Sequence, residues 1–560
     1  MSDAGAIITR LYGGFKGVDF RGEFSYLSRS PDSLNVWKDY KETESIRTRP
    51  GLEQNAAFED TVYGIFFFNA QMLVHSGTKL YRVVNGVKTT IYTGLNKAAS
   101  NSFVYENVWY FKDGKHYLKY DGVKIEDVVG YVPTTSIARK PGGGGKIYED
   151  VNLLTGRRIN TFLADGTSKT FVLDAKGLDT NFAPIVKVND KVVSGYKVDY
   201  TNGKITFTTA PAAPLTDGQD NVSVEFQKTV ANYKDRILRC TLLQVFDNRV
   251  FFSGNKDYPN TVWHCSLDDP SYCSDLDYYR EGLDNAEIKG LVAGNNALWV
   301  FREPSQANTT VFYHTPTIDS DYGKIYPSQH SSVTAGCVGK AINFNDDIIF
   351  FSDRGMEGIS GDITTEQVLA HRSSLVDRKL TSESEYTRMV LAEWEGYLLV
   401  FVGSSVYLAD SRAMFTNENH AEYEWFYWEL GKKVRCARVE DNVLYVGTED
   451  GVYTFTDLEG DVESYWVTPK DRFKNPHKLK TTNKKSCTVE ATGDISVYAK
   501  TNKDENFVLL GEFSGVTDAF NCRIKLKKFK DAQLKFHSKT RFSLESATLE
   551  CFVGGYLKNL

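Results

Sequence analysis

Short runs of apolar and aromatic residues recur along most of this chain, and each run follows a turn made of Asn, Asp, Glu or Gly. A polar turn and a second strand-like run come after it, and apolar and polar positions alternate in several copies. Such alternation indicates β-strands with one buried face. Seven copies of the motif can be read: Asn69–Val74, Glu106–Phe111, Asp247–Phe252, Asn295–Val300, Asn345–Phe350, Glu395–Val400 and Asp441–Val446.

The spacing of the last four copies is nearly regular. The residues before their apolar runs are Ala297, Asp347, Gly396 and Asn442, which are 50, 49 and 46 residues apart. A period of this size predicts a β-propeller, in which each blade is a four-stranded sheet that buries its faces against neighbouring blades. Seven copies allow six to eight blades. An all-β protein with hairpins at loosely similar spacing remains the alternative.

The period is interrupted between the second and third copies, where Asn107 and Asn248 are 141 residues apart. The extra segment of about 90 residues opens with the glycine-rich stretch 140–146, which we interpret as a flexible hinge. Strand patterns follow, with Asp-Gly and Asn-Gly pairs that permit the positive φ of tight hairpins. We therefore predict a small antiparallel β-sandwich inserted on one blade.

Beyond Leu458 the motif stops, and further strand patterns up to Phe552 predict a C-terminal β-sandwich. Helical signals are confined to two short stretches, about 365–380 and 409–415. The predicted fold class is therefore all-β, a β-propeller of six to eight blades with an inserted small β-sandwich and a C-terminal β-sandwich. The predicted segments are an N-terminal segment that closes or docks the propeller (1–60), the first part of the propeller (61–138), the inserted sandwich (139–230), the second part of the propeller (231–460) and the C-terminal sandwich (461–560).

Composition and charge argue against several classes of protein and binding site. The chain has 66 Lys and Arg against 72 Asp and Glu, and its formal charge of −6 argues against a protein that wraps nucleic acid tightly. The 8 cysteines include no CxxC pair, so a disulfide scaffold and a zinc site are both weakly supported. Because there is no signal-peptide pattern and no stretch of 18 apolar residues, we expect synthesis in a reducing cytoplasm without membrane insertion.

Motifs for catalysis or metal binding are weak. The string Ser352–Gly358 lacks the spacing and the Trp of a sialidase Asp-box and is better explained as a turn. The acidic pairs at 268–269 and 319–321 do not continue into a calcium loop, and no two carboxylates are singled out for glycoside hydrolysis. His264 beside Cys265 supplies only two ligands, which is more typical of a packed histidine. We predict no enzyme activity, no catalytic or metal-binding residue and no cofactor.

The candidate partner-binding surface is a basic run that follows the last motif copy. It could contact DNA phosphates or an acidic face of a neighbouring ring, and it could equally be a solvated linker. Its members are Lys470, Arg472, Lys474, Lys478, Lys480, Lys484 and Lys485.

Several stretches share features with one family of viral proteins. They are Gly13–Asp19 with its double glycine, the proline-led Ser30–Trp37, Ile46–Leu52 with Arg-Pro-Gly, Phe246–Asn255 followed by Asp268–Tyr272, and the ending Leu549–Lys558. Together they resemble tail nozzle and tail hub proteins (tail tubular protein B-like) of short-tailed double-stranded DNA bacteriophages. The matches cover about a tenth of the positions but are spread over most of the length.

The resemblance implies a structural virion protein that is assembled in the bacterial host cytoplasm and located in the tail. Copies would form a ring, a hexamer, that extends the DNA conduit below the portal-adaptor and helps to gate or retain packaged DNA. The implied partners are other copies of the chain, an adaptor or connector ring, tail fibres or distal tail proteins, and passing double-stranded DNA without sequence specificity; no membrane is involved. The alternatives are a carbohydrate-binding or glycan-hydrolysing propeller for host attachment, and a head-tail connector protein.

Overall fold

The computed structural model describes residues 6–40, 45–307, 309–320, 323–360, 368–417, 420–457 and 461–556. Strands hold 53% of the residues and helices 2%, so the all-β prediction is confirmed. The chain forms two compact units. One consists of Met1–Thr93 with Ala335–Leu560, and the other is Gly94–Thr334. No helix among the described residues has the length and apolar character needed to cross a membrane.

The first five strands lie before the first blade. They are β1 (Ile7–Gly13), β2 (Ser33–Leu34), β3 (Val36–Lys38), β4 (Ile46–Thr48) and β5 (Gly51–Ala57). The first two blades follow as four-stranded meanders. They consist of β6 (Val62–Phe68), β7 (Gln71–Ser76), β8 (Lys79–Val84) and β9 (Val87–Thr93), then β10 (Asn101–Tyr105), β11 (Val108–Lys112), β12 (Tyr117–Tyr120) and β13 (Ile125–Asp127).

The inserted domain lies between the second and third blades rather than within one. A six-stranded and a three-stranded sheet enclose its core, which includes Phe162, Phe171, Val186 and Phe207. Most pairs are antiparallel, as predicted, but β14 and β16 pair in parallel. The strands are β14 (Thr134–Arg139), β15 (Lys146–Ile147), β16 (Arg157–Phe162), β17 (Thr170–Val172), β18 (Ile185–Val188), β19 (Lys191–Val192), β20 (Tyr196–Asp199), β21 (Lys204–Phe207) and β22 (Val222–Gln227).

The third and fourth blades follow α1 (Tyr233–Leu238), a short helix that the sequence did not predict. The third blade is β23 (Leu242–Phe246), β24 (Arg249–Ser253), β25 (Thr261–His264) and β26 (Tyr278–Arg280). In the fourth blade an extra hairpin precedes the last strand. The blade consists of β27 (Ile288–Gly294), β28 (Ala297–Arg302), β29 (Val311–His314) and β32 (Ser328–His330). The extra hairpin consists of β30 (Thr317–Asp319) and β31 (Gly323–Ile325).

Three more blades follow, and the last of them is completed by an N-terminal strand. β5 pairs with β43 and forms the fourth strand of the seventh blade. The fifth blade is β33 (Ala341–Phe344), β34 (Asp347–Ser352), β35 (Gly355–Ser360) and β36 (Val368–His371). The helix α2 (Asp377–Leu380) and the 3₁₀ turn Tyr386–Arg388 lead to the sixth. The sixth blade is β37 (Val390–Trp394), β38 (Tyr397–Val402), β39 (Ser405–Asn417) and β40 (His420–Glu429). The seventh is β41 (Cys436–Glu440), β42 (Val443–Gly447) and β43 (Gly451–Thr456) together with β5.

Within each unit, the first strands of consecutive blades contact one another, as expected for sheets arranged around an axis. In one unit β37 contacts β41, and β41 contacts β6. In the other unit β10 contacts β23, and β23 contacts β27. The β-propeller class is thus confirmed, with seven four-stranded sheets among the described residues.

The seven sequence motifs mark one structural feature, the tight turn between the first two strands of each blade. Two consecutive residues at each turn have φ in the left-handed region, which Asn, Asp and Gly tolerate best and which two-residue hairpin loops require. The pairs are Asn69–Ala70, Glu106–Asn107, Asp247–Asn248, Asn295–Asn296, Asn345–Asp346, Glu395–Gly396 and Asp441–Asn442.

The C-terminal sheet assembly recruits the N-terminal strands β1 to β4. Its own strands are β44 (Ser464–Val467), β45 (Lys478–Thr481), β46 (Cys487–Thr501), β47 (Val508–Val516), β48 (Ala519–Cys522), β49 (Ala532–Ser538) and β50 (Phe542–Tyr556). The first half of β46 pairs with β48 and β50, and its second half with β47 and β49. Gly493 stands at the change of partners with φ +97°, and a Cβ there would overlap the Arg541 carbonyl oxygen.

Neither of the two predicted helices forms as expected. Residues 409–415 are not helical but lie in β39, where cross-strand pairing with β40 overrides local helix propensity. Of the stretch 365–380, only Asp377–Leu380 is α-helical; Val368–His371 is a strand, and 361–367 lie outside the described residues. In the glycine stretch the Gly143 N–H donates to the Lys140 carbonyl at 2.9 Å, which closes a turn.

Candidate partner-binding surface

The N-terminal stretches that carry the family resemblance are buried at a junction. Arg49 donates through Nε to Asn35 Oδ1 at 2.9 Å and through Nη2 to the Glu429 carbonyl at 3.1 Å. Asn35 in turn donates through Nδ2 to the Glu463 carbonyl at 2.8 Å. These bonds tie the N-terminal segment to β40 of the sixth blade and to the chain that enters β44. They also satisfy a guanidinium that is only 6% exposed, as a buried charge requires.

Gly17 brings the following loop against the same blade. The Val18 N–H donates to the Trp425 carbonyl at 2.6 Å, and a Cβ at position 17 would overlap that carbonyl oxygen. Beyond this contact, Asp19 accepts bonds from Arg21 Nε at 2.9 Å and Ser25 Oγ at 2.6 Å. Burial opposes ionisation of this carboxyl, but the bonds from Arg21 and Ser25 leave the pKa of Asp19 below its ordinary value. The loop is therefore held in one shape by an ionised Asp19.

The fixed loop exposes two aromatic rings, Phe24 and Tyr26, which are 56% and 70% exposed. The stretch Asp19–Tyr26 lines an open cavity of about 470 Å³. Both rings leave apolar area in contact with water at the edge of this cavity, and contiguous apolar patches are features of binding surfaces.

A second loop presents the first part of the basic run. Asp471 is buried and anchors this loop, accepting from Arg10 Nε at 2.7 Å and from the Phe473 N–H at 2.5 Å. Phe473 is fully buried with its ring 5.8 Å from that of Phe529, whereas Arg472 and Lys474 on either side of it are exposed. Alternate residues thus point into the core and out to solvent.

The two loops meet, and together they form one surface. The Lys470 N–H donates to the Glu23 carbonyl at 2.8 Å, and the two side chains form an ion pair. The Arg472 guanidinium lies 4.2 Å from the centroid of the Phe24 ring, a cation–π arrangement. The basic–aromatic surface, as we call it, consists of Phe24, Tyr26, Lys470, Arg472 and Lys474. In the described chain, no ion pair engages Arg472 or Lys474.

The other members of the basic run do not join this surface. Lys480 is fully buried, and its Nζ donates to the carbonyl oxygens of Asn475 at 2.6 Å and Lys530 at 2.7 Å. Desolvation lowers the pKa of Lys480, as expected for a buried ammonium. Its inclusion in an exposed partner surface was therefore wrong. Lys484 and Lys485 are exposed in the turn between β45 and β46, and Lys478 is half-buried at the start of β45.

The aromatic half of the surface was missed by sequence reasoning. Phe24 and Tyr26 stand among Arg, Gly, Glu and Ser in the stretch 20–28, outside every strand motif. Aromatic residues in a polar, non-periodic stretch were the available signal.

The strings considered for catalysis and metal binding have structural roles. Ser352 ends β34 and leads into the tight turn before Gly355. Asp269 Oδ1 accepts from the Ser271 N–H at 2.8 Å, and His264 is 5% exposed with Nδ1 3.0 Å from the Cys265 carbonyl. Asp321 lies outside the described residues. Within the described ranges, no group of three or more His, Cys, Asp or Glu could hold a metal ion.

Comparisons with known proteins give fold-level similarity alone. No protein-family model and no curated protein sequence matches the chain. Among solved structures, BamB from Moraxella catarrhalis is similar at a TM-score of 0.33 and 11% identity, over 75% of this chain and 92% of that one. Hsv2 from Kluyveromyces lactis is similar at a TM-score of 0.27 and 10% identity, over 66% and 99% of the two chains. An exo-β-1,3-galactanase from Phanerochaete chrysosporium has a TM-score of 0.20 at 7% identity, over 55% and 94%.

Proposed function

We propose that this protein is a structural subunit of a bacteriophage tail that assembles into a ring of the nozzle or hub type and extends the DNA conduit. The observation that carries the proposal is the basic–aromatic surface. Arg and aromatic residues are the types most enriched at protein–protein interfaces, and here they are exposed on two loops that are held rigid by buried bonds. Such a surface fits a protein whose task is to bind other subunits.

The use of charge in the rest of the molecule supports a mechanical role. Several charged residues form internal pairs, including Arg29 with Glu424, which are both buried, and the buried Arg302 with Asp284, which is 37% exposed. Such pairs are costly to break, because the remaining partner would be left as an uncompensated charge. They favour a rigid wall element, and they leave these groups unavailable for chemistry on a substrate.

The overall charge also suits a DNA conduit. Six copies of a chain with formal charge −6 would together carry −36. A phosphate backbone binds to Lys and Arg with release of counterions, so a strongly basic bore would retard the DNA. An acidic or neutral ring would let the polyanion pass, and it would bind other proteins rather than DNA through Arg472.

The test is the mass of the purified protein alone and with its adaptor ring. Native mass spectrometry should find a multiple of the 63.1 kDa chain in at least one of the two conditions, and negative-stain images should show rings with a central hole. A particle of 63.1 kDa in both conditions would overturn the proposal. Glycan binding for host attachment is the second candidate, because exposed rings such as Tyr26 can also stack on sugars; binding to a glycan array by a monomeric protein would favour it.

A further inference from the structure

A second exposed aromatic surface lies on the other compact unit, where the chain enters the inserted domain beside the third blade. Tyr148 is 64% exposed, Leu276 66% and Tyr131 40%. The rings of Tyr131 and Tyr272 are 5.2 Å apart, and the Tyr272 hydroxyl donates to the Asp150 carbonyl at 2.9 Å. These contacts join the stretches 131–150 and 272–276 into one patch.

Carboxylates surround these rings. The Tyr131 hydroxyl donates to Glu149 at 3.0 Å, and the Asp275 N–H donates to the Val151 carbonyl at 2.9 Å, which holds Asp275 close to Asp150. Burial, with a smaller contribution from Asp150, raises the pKa of Asp275 despite the hydrogen bond that it accepts from the Tyr233 hydroxyl at 3.3 Å. In the part of the chain that the structure describes, neither Lys nor Arg forms an ion pair with Glu149, Asp150 or Asp275. We call these three carboxylates with Tyr131, Tyr148 and Leu276 the acidic–aromatic surface.

The two surfaces are complementary in charge and alike in their exposed apolar area. Among the described residues, Arg472 and Lys474 on one surface form no ion pair. The carboxylates of the other surface accept hydrogen bonds from neutral donors, such as the Tyr233 hydroxyl on Asp275, but also form no ion pair there. We propose that the basic–aromatic surface of one copy of this chain binds the acidic–aromatic surface of a second copy. Contact between two different surfaces of identical chains is heterologous, and it closes into a ring when the rotation per copy permits. The inference rests on the proposed function and names the partner of its binding surface.

Charge reversal tests the pairing. Arg472→Glu with Lys474→Glu, or separately Glu149→Lys with Asp275→Lys, places like charges opposite each other, so each double variant should weaken self-association by about tenfold or more. A chain that carries all four reversals restores opposite charges and should regain the ring. Matched controls are the exposed Lys485→Glu and Asp217→Lys, which should leave the particle mass unchanged. Circular dichroism of each variant checks that the fold is retained.

The readout is particle mass by native mass spectrometry over a dilution series, with wild type measured beside every variant. Loss of the ring in both double variants and its return in the fourfold variant would support the pairing. Rings that persist in either double variant, or that fail to return in the fourfold variant, would overturn it while the proposed function stands. A wild-type protein that is monomeric with and without the adaptor would instead overturn the proposed function itself.

Discussion

His371 offers a direct test of how this fold uses buried charge. The residue ends β36, with Nε2 2.6 Å from Asp377 Oδ2 on α2 and Nδ1 3.2 Å from Glu357 Oε2 on β35. Burial by itself would lower the pKa of His371, but hydrogen bonds to Asp377 and Glu357 outweigh it and raise the pKa to about 10. We therefore expect the imidazole to remain a cation throughout the physiological pH range.

The contribution of His371 to the free energy of unfolding follows from its pKa shift. An unfolded histidine has a pKa of about 6.5, and each unit of difference corresponds to about 1.4 kcal/mol. The full shift would amount to about 5 kcal/mol by that conversion, but the side chain is 30% exposed, and solvent screening reduces the expected contribution to about 2 kcal/mol. Because the folded pKa is raised, this stability is fully present below about pH 6.5 and is lost progressively as the pH rises to about 10.

Two measurements check this expectation. Histidine-selective ¹³C NMR between pH 5 and 11 should show one imidazole titrating near pH 10, and its resonance should be missing in His371→Gln. The difference in unfolding free energy between wild type and His371→Gln, from urea denaturation, should shrink as the pH rises from about 6.5 to 10. His477→Gln, at an exposed position, is the control and should change stability by less than about 0.5 kcal/mol. Titration of the His371 imidazole near pH 6.5 would refute the reasoning.

Three further substitutions should change the urea midpoint followed by tryptophan fluorescence. Ala70→Gly should raise the unfolding free energy by about 1 kcal/mol, because Ala70 has φ 57° in the first blade turn; no gain would argue against that backbone strain. Gly17→Ala should lower it by about 3 kcal/mol, since the new Cβ overlaps the Trp425 carbonyl; an unchanged midpoint would contradict the docking of the N-terminal loop. Lys480→Met should cost about 1 kcal/mol, because two half-buried carbonyl oxygens lose their donor, and a neutral result would mean that Lys480 is solvated. The matched controls, each expected to change stability by less than about 0.5 kcal/mol, are Gly22→Ala and Lys484→Met.

The propeller was predictable because its signal is local. Each blade needs a two-residue turn with positive φ, and only a few residue types meet that requirement cheaply, so Asn and Asp mark the turns directly in the sequence. Where the turn contains Ala70 or Glu395, the neighbouring strands still reveal it through alternation. The N-terminal strands could not be assigned in this way. Pairing such as Ile7 with Phe552 joins residues at opposite ends of the chain, and no local pattern encodes it.

Only the basic half of the candidate surface could be predicted, because local sequence does not encode contacts between distant parts of the chain. The sequence shows a row of basic residues, but the fold decides which of them reach solvent. Lys480 and Lys484 are four residues apart and chemically identical, yet Lys480 is buried while Lys484 is exposed in a turn. Lys480 lies within β45, where it pairs with Val553 of β50, whereas Lys484 follows the end of that strand. A charge run therefore predicts that a surface exists, but not which of its members form it.

The aromatic half of the surface follows from a different constraint. Phe24 lies about 450 positions before Arg472 in the chain, and the two meet because Gly17 and Asp19 hold the N-terminal loop in place. In the proposed interface, stacking on Phe24 positions the Arg472 side chain without an internal ion pair, which lowers the entropy lost when it binds a carboxylate of a second copy. An ion pair at that point would have satisfied the guanidinium within the chain. The structure therefore holds Arg472 in place with no ion-pair partner among the described residues, which is what the proposed docking surface needs.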